Sequence, residues 1–131
     1  MQVEPVRWLR VLLMGLAAEV ALMIIVIPFA LLGGERLLDI AVGPVTLIVF
    51  ALFGFVIARP LSGRHVLHGA LMGAAGVLIY NALILSATSL PGAPPLDVAR
   101  TFSPLYLLSH ALKLVGGGIG GWLASRKRRP D

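Results

Sequence analysis

The sequence contains no cysteine, and only 13% of its 131 residues are charged. Without cysteine the chain can form no disulfide and no thiolate metal site, and it has no cysteine nucleophile. A soluble domain carries about 25% charged residues. The low charge, together with a hydrophobic fraction of 58%, indicates that lipid rather than water surrounds much of the chain.

Recognisable catalytic motifs are also missing. The sequence has no G-x-S-x-G segment, no phosphate-binding glycine loop, no H-E-x-x-H and no paired carboxylate motif, each of which places reacting groups for a particular chemistry. His65 and His68 are spaced to contribute two metal ligands, but no third ligand accompanies them. We therefore expect no enzymatic activity, no metal site and no cofactor.

Four apolar blocks of nearly equal length occupy most of the chain, over residues 8–32, 40–58, 66–89 and 104–124. Each is close to the ~20 residues that a helix needs to cross a ~30 Å hydrocarbon layer. Turn and helix-end signals separate them at Gly33-Gly34, Gly43-Pro44, Arg59-Pro60 and Pro91-Gly92, and Ser103-Pro104 is a helix start. The pattern predicts one all-α integral membrane domain, a four-transmembrane-helix bundle.

Basic residues predict the orientation of this bundle. They collect at the start of the first block, between the second and third, and after the fourth, where 125–131 forms a basic tail; these eight are Arg7, Arg10, Arg59, Arg64, Arg126, Lys127, Arg128 and Arg129. The other two connections hold only Arg36 and Arg100. Basic flanks stay in the cytoplasm, so both termini should be cytoplasmic. Such flanks and short loops are typical of a multi-pass bacterial inner-membrane protein, whose partner is the bilayer and not nucleic acid.

Glycines mark the faces on which the last two helices should pack. At 100° per residue, Gly116, Gly117, Gly120 and Gly121 share one side of the fourth block, and Gly69, Gly73 and Gly76 share one side of the third. Small residues four apart let membrane helices approach closely. We expect these two helices to pack tightly against each other, although the same glycines could instead make room for a ligand or a water path.

Two ionisable residues, Glu19 and Lys113, fall well inside apolar blocks. Charged groups within spans are costly, so they usually face the interior and have partners. Glu19 lies ~16 Å from the inner end of its helix and Lys113 ~14 Å from the outer end of its own. Because these depths coincide, an ion pair near the membrane midplane is one interpretation, and a proton- or cation-binding Glu19 is the other.

Two neutral polar residues complete the candidate set. His110 lies one helical turn from Lys113 and could relay protons or bind a ligand, or it could simply be a buried, hydrogen-bonded histidine. Asn81 lies off the glycine face, where it could hydrogen-bond to another helix.

Two functions remain open from the sequence. The first is a small carrier or conduit, as a single chain or a homo-oligomer, with Glu19, Lys113 and His110 in its polar interior. The alternative is a non-catalytic membrane subunit or assembly partner that binds another membrane protein through its glycine-rich faces. A polar cavity that reaches Glu19 or Lys113 would favour the first, and an exposed glycine groove above a closed ion pair would favour the second.

Overall fold

The computed structural model describes residues 5–92, 95, 97 and 101–127, and this part of the chain is helical, without strands. Helix α1 runs over Trp8–Ala58, α2 over His65–Thr88 and α3 over Pro104–Arg126. The predicted start of the last helix is confirmed, because Pro104 is its first residue and the Ser103 side chain accepts a hydrogen bond from the Tyr106 N–H at 3.3 Å. This N-cap satisfies one of the free amides of the first turn.

Helix α1 is bent into two arms, residues 8–33 and 35–58, at Gly34. A straight helix would place Glu19 and Phe50 about 46 Å apart along its axis. Instead, a Cβ atom built on Gly76 would lie 2.9 Å from Glu19 Oε1 and 2.7 Å from the Phe50 ring. The chain therefore doubles back at Gly34, whose φ of 63° and ψ of −162° are non-helical and strongly favour glycine.

Two boundaries predicted from the sequence are wrong. Residues 33–39 were expected to connect two helices, yet they are helical apart from Gly34, so a single residue makes the turn. Gly43-Pro44 was expected to end a helix, but Pro44 lies within α1. Glycine and proline mark positions where a helix can break. Of the two signals Gly33-Gly34 and Gly43-Pro44, only the first coincides with a break in α1.

Helices α1 and α2 are long and apolar enough to cross a membrane. The most apolar stretch of each is mostly unburied, with only 28% and 22% of it inside the protein. Large exposed side chains occur along both, including Leu31, Ile48 and Leu78. A core helix of a soluble protein would be mostly buried, so these surfaces suit a lipid environment.

The glycines of α3 contact two neighbours on two edges. Added Cβ atoms on Gly117 and Gly121 would meet the carbonyl oxygens of Gly69 and His65 in α2. On the other edge, Cβ atoms on Gly116 and Gly120 would meet the carbonyls of Leu47 and Ala51 in the 35–58 arm. A Cβ on Gly73 would likewise meet the Lys113 carbonyl. Within the described residues these faces are thus used for packing inside the chain.

Basic residues gather at one end of the helices. Arg7 N–H lies 3.4 Å from His68 Nε2, the Lys127 ammonium lies 5.5 Å from the Phe55 ring centroid, and Gly121 packs on His65. The start of α1, the 59–64 turn and the end of α3 therefore share one end, which is basic. The opposite end contains the Gly34 bend and the start of α3.

Candidate functional site

Glu19 and Lys113 form a buried ion pair between α1 and α3. The Lys113 Nζ lies 2.5 Å from Glu19 Oε1, and both side chains are almost fully buried, at 3% and 0% exposure. The juxtaposition expected from their depths is present, because the first arm of α1 and α3 lie side by side. The pair neutralises two charges that would each be costly to bury alone.

Small and aromatic residues make room for this pair. Gly76 of α2 leaves the space in which Glu19 Oε1 and the Phe50 ring lie, since a Cβ there would approach both within 3.0 Å. The Lys113 ammonium lies 4.5 Å from the Tyr80 ring centroid and 5.6 Å from that of Phe50. Aromatic faces attract a cation electrostatically, so they hold the lysine on the side of Glu19 where Oε1 lies.

Three polar side chains, one of them a member of the pair, have buried atoms without a hydrogen-bond partner. Within the described part of the chain these are Glu19 Oε2, Thr46 Oγ1 and both ring nitrogens of His110. Other helical hydroxyls bond to their own backbone; Thr88 Oγ1, for example, donates to the Ile84 carbonyl at 3.1 Å. Buried polar atoms normally have a partner, so these three side chains mark the place where the described part of the protein leaves polar groups unsatisfied.

These three side chains line a single cavity of about 680 Å³. Lys113, Tyr80 and Tyr106 also contribute to its wall, and Glu35, Asp39 and Asp97 lie at the end near the Gly34 bend, where they are exposed. Its volume falls within the range of ~300–1,000 Å³ typical of small-molecule sites. The cavity therefore leads from an acidic mouth to the ion pair in the middle of the protein.

His110 belongs to an aromatic cluster at the cavity wall. Its ring centroid lies 4.4 Å from that of Tyr106 and 5.5 Å from that of Tyr80, both in edge-to-face geometry. The Tyr106 hydroxyl donates to Asn81 Oδ1 at 3.3 Å, while Asn81 Nδ2 donates to the Val77 carbonyl at 2.8 Å. Asn81 therefore links α2 to α3. The two tyrosine rings position the His110 imidazole, whose nitrogens have no hydrogen-bond partner.

The other two histidines do not join this site. His68 is fully buried. Its Nε2 accepts from the Arg7 N–H, and its Nδ1 donates to the Arg64 carbonyl at 3.0 Å. His65 Nε2 donates to the Leu61 carbonyl at 3.0 Å. Among the described residues no group of three or more histidine, aspartate or glutamate side chains could hold a metal ion.

Sequence reasoning missed the acidic mouth and Thr46 as parts of the site. Glu35, Asp39 and Asp97 are three of only six acidic residues in the chain, and they flank connections with few basic residues, which was an available signal. Thr46 is the only polar side chain of its apolar block, but whether its hydroxyl bonds to its own helix cannot be read from a sequence.

Comparison with known proteins adds no relative, since no family model, curated protein or solved structure matches the chain.

Proposed function

We propose that the chain is a multi-pass membrane protein with four crossings and both termini in the cytoplasm of a bacterial cell. In this proposal the two arms of α1 each cross once, followed by α2 and α3. The exposed apolar surface of the helices and the gathering of basic residues at one end support this topology. The acidic mouth of the cavity then faces the periplasm.

In this membrane the protein acts as a small carrier or conduit, without enzymatic activity. The observation that carries this proposal is the cavity of about 680 Å³ in which Glu19, Thr46 and His110 present unpartnered polar atoms beside Lys113. A pair that only fixed helix register would be better enclosed in a dry, fully satisfied interior.

Access is one-sided in this conformation. Below the ion pair, toward the basic end, lie tightly packed apolar residues, among them Val11, Ile57 and Met72, and the glycine contacts between α3 and its neighbours. Passage of a solute through the protein therefore requires these contacts to separate, as alternating access demands. A release to the cytoplasm would be coupled to helix movement.

The alternative role is a non-catalytic subunit that binds another membrane protein. Its expected docking faces were the glycine stripes, but those of α3 pack against α2 and the 35–58 arm. A partner would have to bind the apolar outer surface instead. The carrier or conduit is therefore the function that the site supports better.

A flux assay in proteoliposomes tests the proposal. We expect proton or ion flux with the wild type, and at least a tenfold loss with Glu19→Gln or Lys113→Met, because each removes a charged group at the base of the cavity. Lys127→Met is the matched control, since Lys127 lies at the basic end outside the cavity, and it should leave flux unchanged. Absence of flux together with co-purification of a stoichiometric membrane partner would overturn the carrier in favour of the subunit.

A further inference from the structure

The base of the cavity offers no charged surface to a solute. Glu19 is fully buried, and the Lys113 side chain is only 3% exposed. The unpartnered atoms of Glu19, Thr46 and His110 are buried as well, and the Tyr80 ring lies over the Lys113 ammonium. In this conformation the ion pair closes the base, so the wall above it determines which ligand the cavity accepts.

This wall is mostly apolar and aromatic. The rings of Tyr80 and Tyr106 contribute to it, and the Ser109 hydroxyl in the same wall already donates to the Tyr106 carbonyl at 2.7 Å. Such a surface favours methylene groups over polar ones. Because both arms of α1 and α3 supply the apolar side chains, the cavity lies between helices. These side chains are Leu22, Met23, Val26, Leu38, Val42 and Leu105.

The mouth of the cavity, at the end near Gly34, is polar instead. Glu35, Asp39, Asp97 and Ser103 line it, and the three carboxylate side chains among them are exposed. The lining thus changes from polar to apolar in one direction, from mouth to base. This order is the complement of an amphiphile, whose headgroup stays in water while its alkyl chain leaves water.

Under the proposed topology the cavity has the depth of one leaflet of the bilayer. Counted from Trp8 at the inner end, Glu19 lies about 16 Å and Val26 about 27 Å into a hydrocarbon layer about 30 Å thick. Counted from Ala58 on the other arm, Asp39 lies about 29 Å from the inner end. The two arms independently place the base near the midplane and the mouth at the outer surface. The apolar wall therefore lies at the depth of the alkyl chains of the outer leaflet.

We infer that the cavity binds a single-chain amphiphile, a molecule with one alkyl chain and one polar headgroup, taken from the periplasmic leaflet. The alkyl chain lies along the apolar wall with its end toward the Glu19–Lys113 pair, and the headgroup stays at the mouth beside Asp39 and Ser103. This inference rests on the proposed function and names the class of solute that the carrier or conduit takes.

Photocrosslinking of the full-length protein in phosphatidylcholine vesicles tests the inference, with a lysophosphatidylcholine that carries a diazirine in its acyl chain as the probe. Leu22 lines the cavity and is 7% exposed, whereas Ile24, two residues away, is 66% exposed toward the proposed lipid. We expect crosslinks to both. Those to Leu22 should saturate and fall about tenfold when unlabelled lysophosphatidylcholine is added in about tenfold excess over the probe, as mass action at one site requires. Those to Ile24 should rise in proportion to the probe and should not be competed.

A variant that fills the cavity provides a second measurement. Val42→Phe, at a half-buried position of the wall, should lower the crosslinks to Leu22 about fivefold or more, because the added ring takes space that the alkyl chain needs. It should leave those to Ile24 unchanged. Ile40→Phe is the matched control, since Ile40 is 65% exposed outside the cavity lining, and it should change neither. The competition needs no variant, so it decides the outcome if Val42→Phe does not fold.

Crosslinks to Ile24 without any to Leu22, or crosslinks to Leu22 that are not competed, would overturn the inference. Proton or ion flux that depends on Glu19, with no saturable crosslinking of Leu22, would also overturn it while leaving the carrier or conduit intact. Saturable crosslinking of Leu22 without any flux would have the opposite meaning: the ligand class stands, and transport fails. No crosslinks at either position would contradict the membrane placement and the inference together.

Discussion

The Glu19–Lys113 pair determines what the interior can do at the scale of single residues. Two charges removed from water repay their desolvation only when each satisfies the other. The two carboxylate oxygens of Glu19 differ, because Lys113 donates a hydrogen bond to Oε1 while Oε2 has no partner. The pair therefore contributes little to stability as a pair, yet it leaves one buried acceptor atom without a partner.

Replacing one member of the pair should destabilise the protein far more than replacing both. Glu19→Gln or Lys113→Met alone should cost about 3–5 kcal/mol of unfolding free energy, because each leaves the other charge buried without a counterion. The double variant should recover most of this loss. Denaturant or thermal unfolding in detergent measures it, and Lys127→Met should be near neutral. A double variant as unstable as either single variant would mean that the two residues are not coupled.

At the scale of helices, α3 is held by backbone contact on both of its glycine edges. Gly117 and Gly69 approach so closely that neither has room for a methyl group. Gly118, the next residue, points elsewhere, and its nearest neighbour would be Val66 Cγ1 at 3.9 Å. Gly117 and Gly118 are neighbours in one helix but differ in how closely they pack. Gly118 is therefore a matched control position for Gly117.

Gly117→Ala should cost about 1–3 kcal/mol of unfolding free energy, the usual range for overpacking an interior. Gly118→Ala should instead be neutral or stabilising by up to about 1 kcal/mol, because alanine is the better helix former and its methyl group would make only an ordinary contact with Val66. Unfolding of both variants under identical conditions compares the two positions. Equal effects would contradict the close packing of α3 on α2.

The bend within α1 depends on Gly34. Its positive φ is strained for a residue with a Cβ, although no atom lies within 4 Å of that position. Gly34→Ala should therefore destabilise by about 1–3 kcal/mol through backbone strain alone. Gly63→Ala, which also meets open space but lacks a positive φ, is the control and should be near neutral. If the two behave alike, Gly34 does not make the turn.

At the scale of the whole molecule, charge is polarised from end to end. Basic residues gather where the chain starts, where α1 meets α2 and where α3 ends, while the cavity mouth at the opposite end is acidic. Under the proposed topology, the basic end faces the cytoplasm, as basic flanks of membrane helices do. The cavity mouth then faces the periplasm.

Features that depend on composition and spacing could be predicted from the sequence. The helices, the Ser103 cap and the meeting of Glu19 with Lys113 follow from apolar run length, turn chemistry and depth. The uninterrupted helix through Pro44 and the single-residue bend at Gly34 could not be predicted, because several glycine and proline signals compete and tertiary packing selects among them. The cavity could not be predicted from the sequence either, because its shape depends on the space that the packed side chains leave empty.

Cysteine labelling at Ser109 tests most directly whether water enters this cavity from the end near Gly34 in a membrane. The chain has no native cysteine, so Ser109→Cys, at a half-buried position of the cavity wall, can be compared with Ile48→Cys, whose side chain is 58% exposed but faces the proposed lipid. A membrane-impermeant thiol reagent should modify Ser109→Cys from the periplasmic side only, and should not modify Ile48→Cys. Rapid labelling of Ile48→Cys with an inert Ser109→Cys would contradict both the lipid exposure and the open cavity.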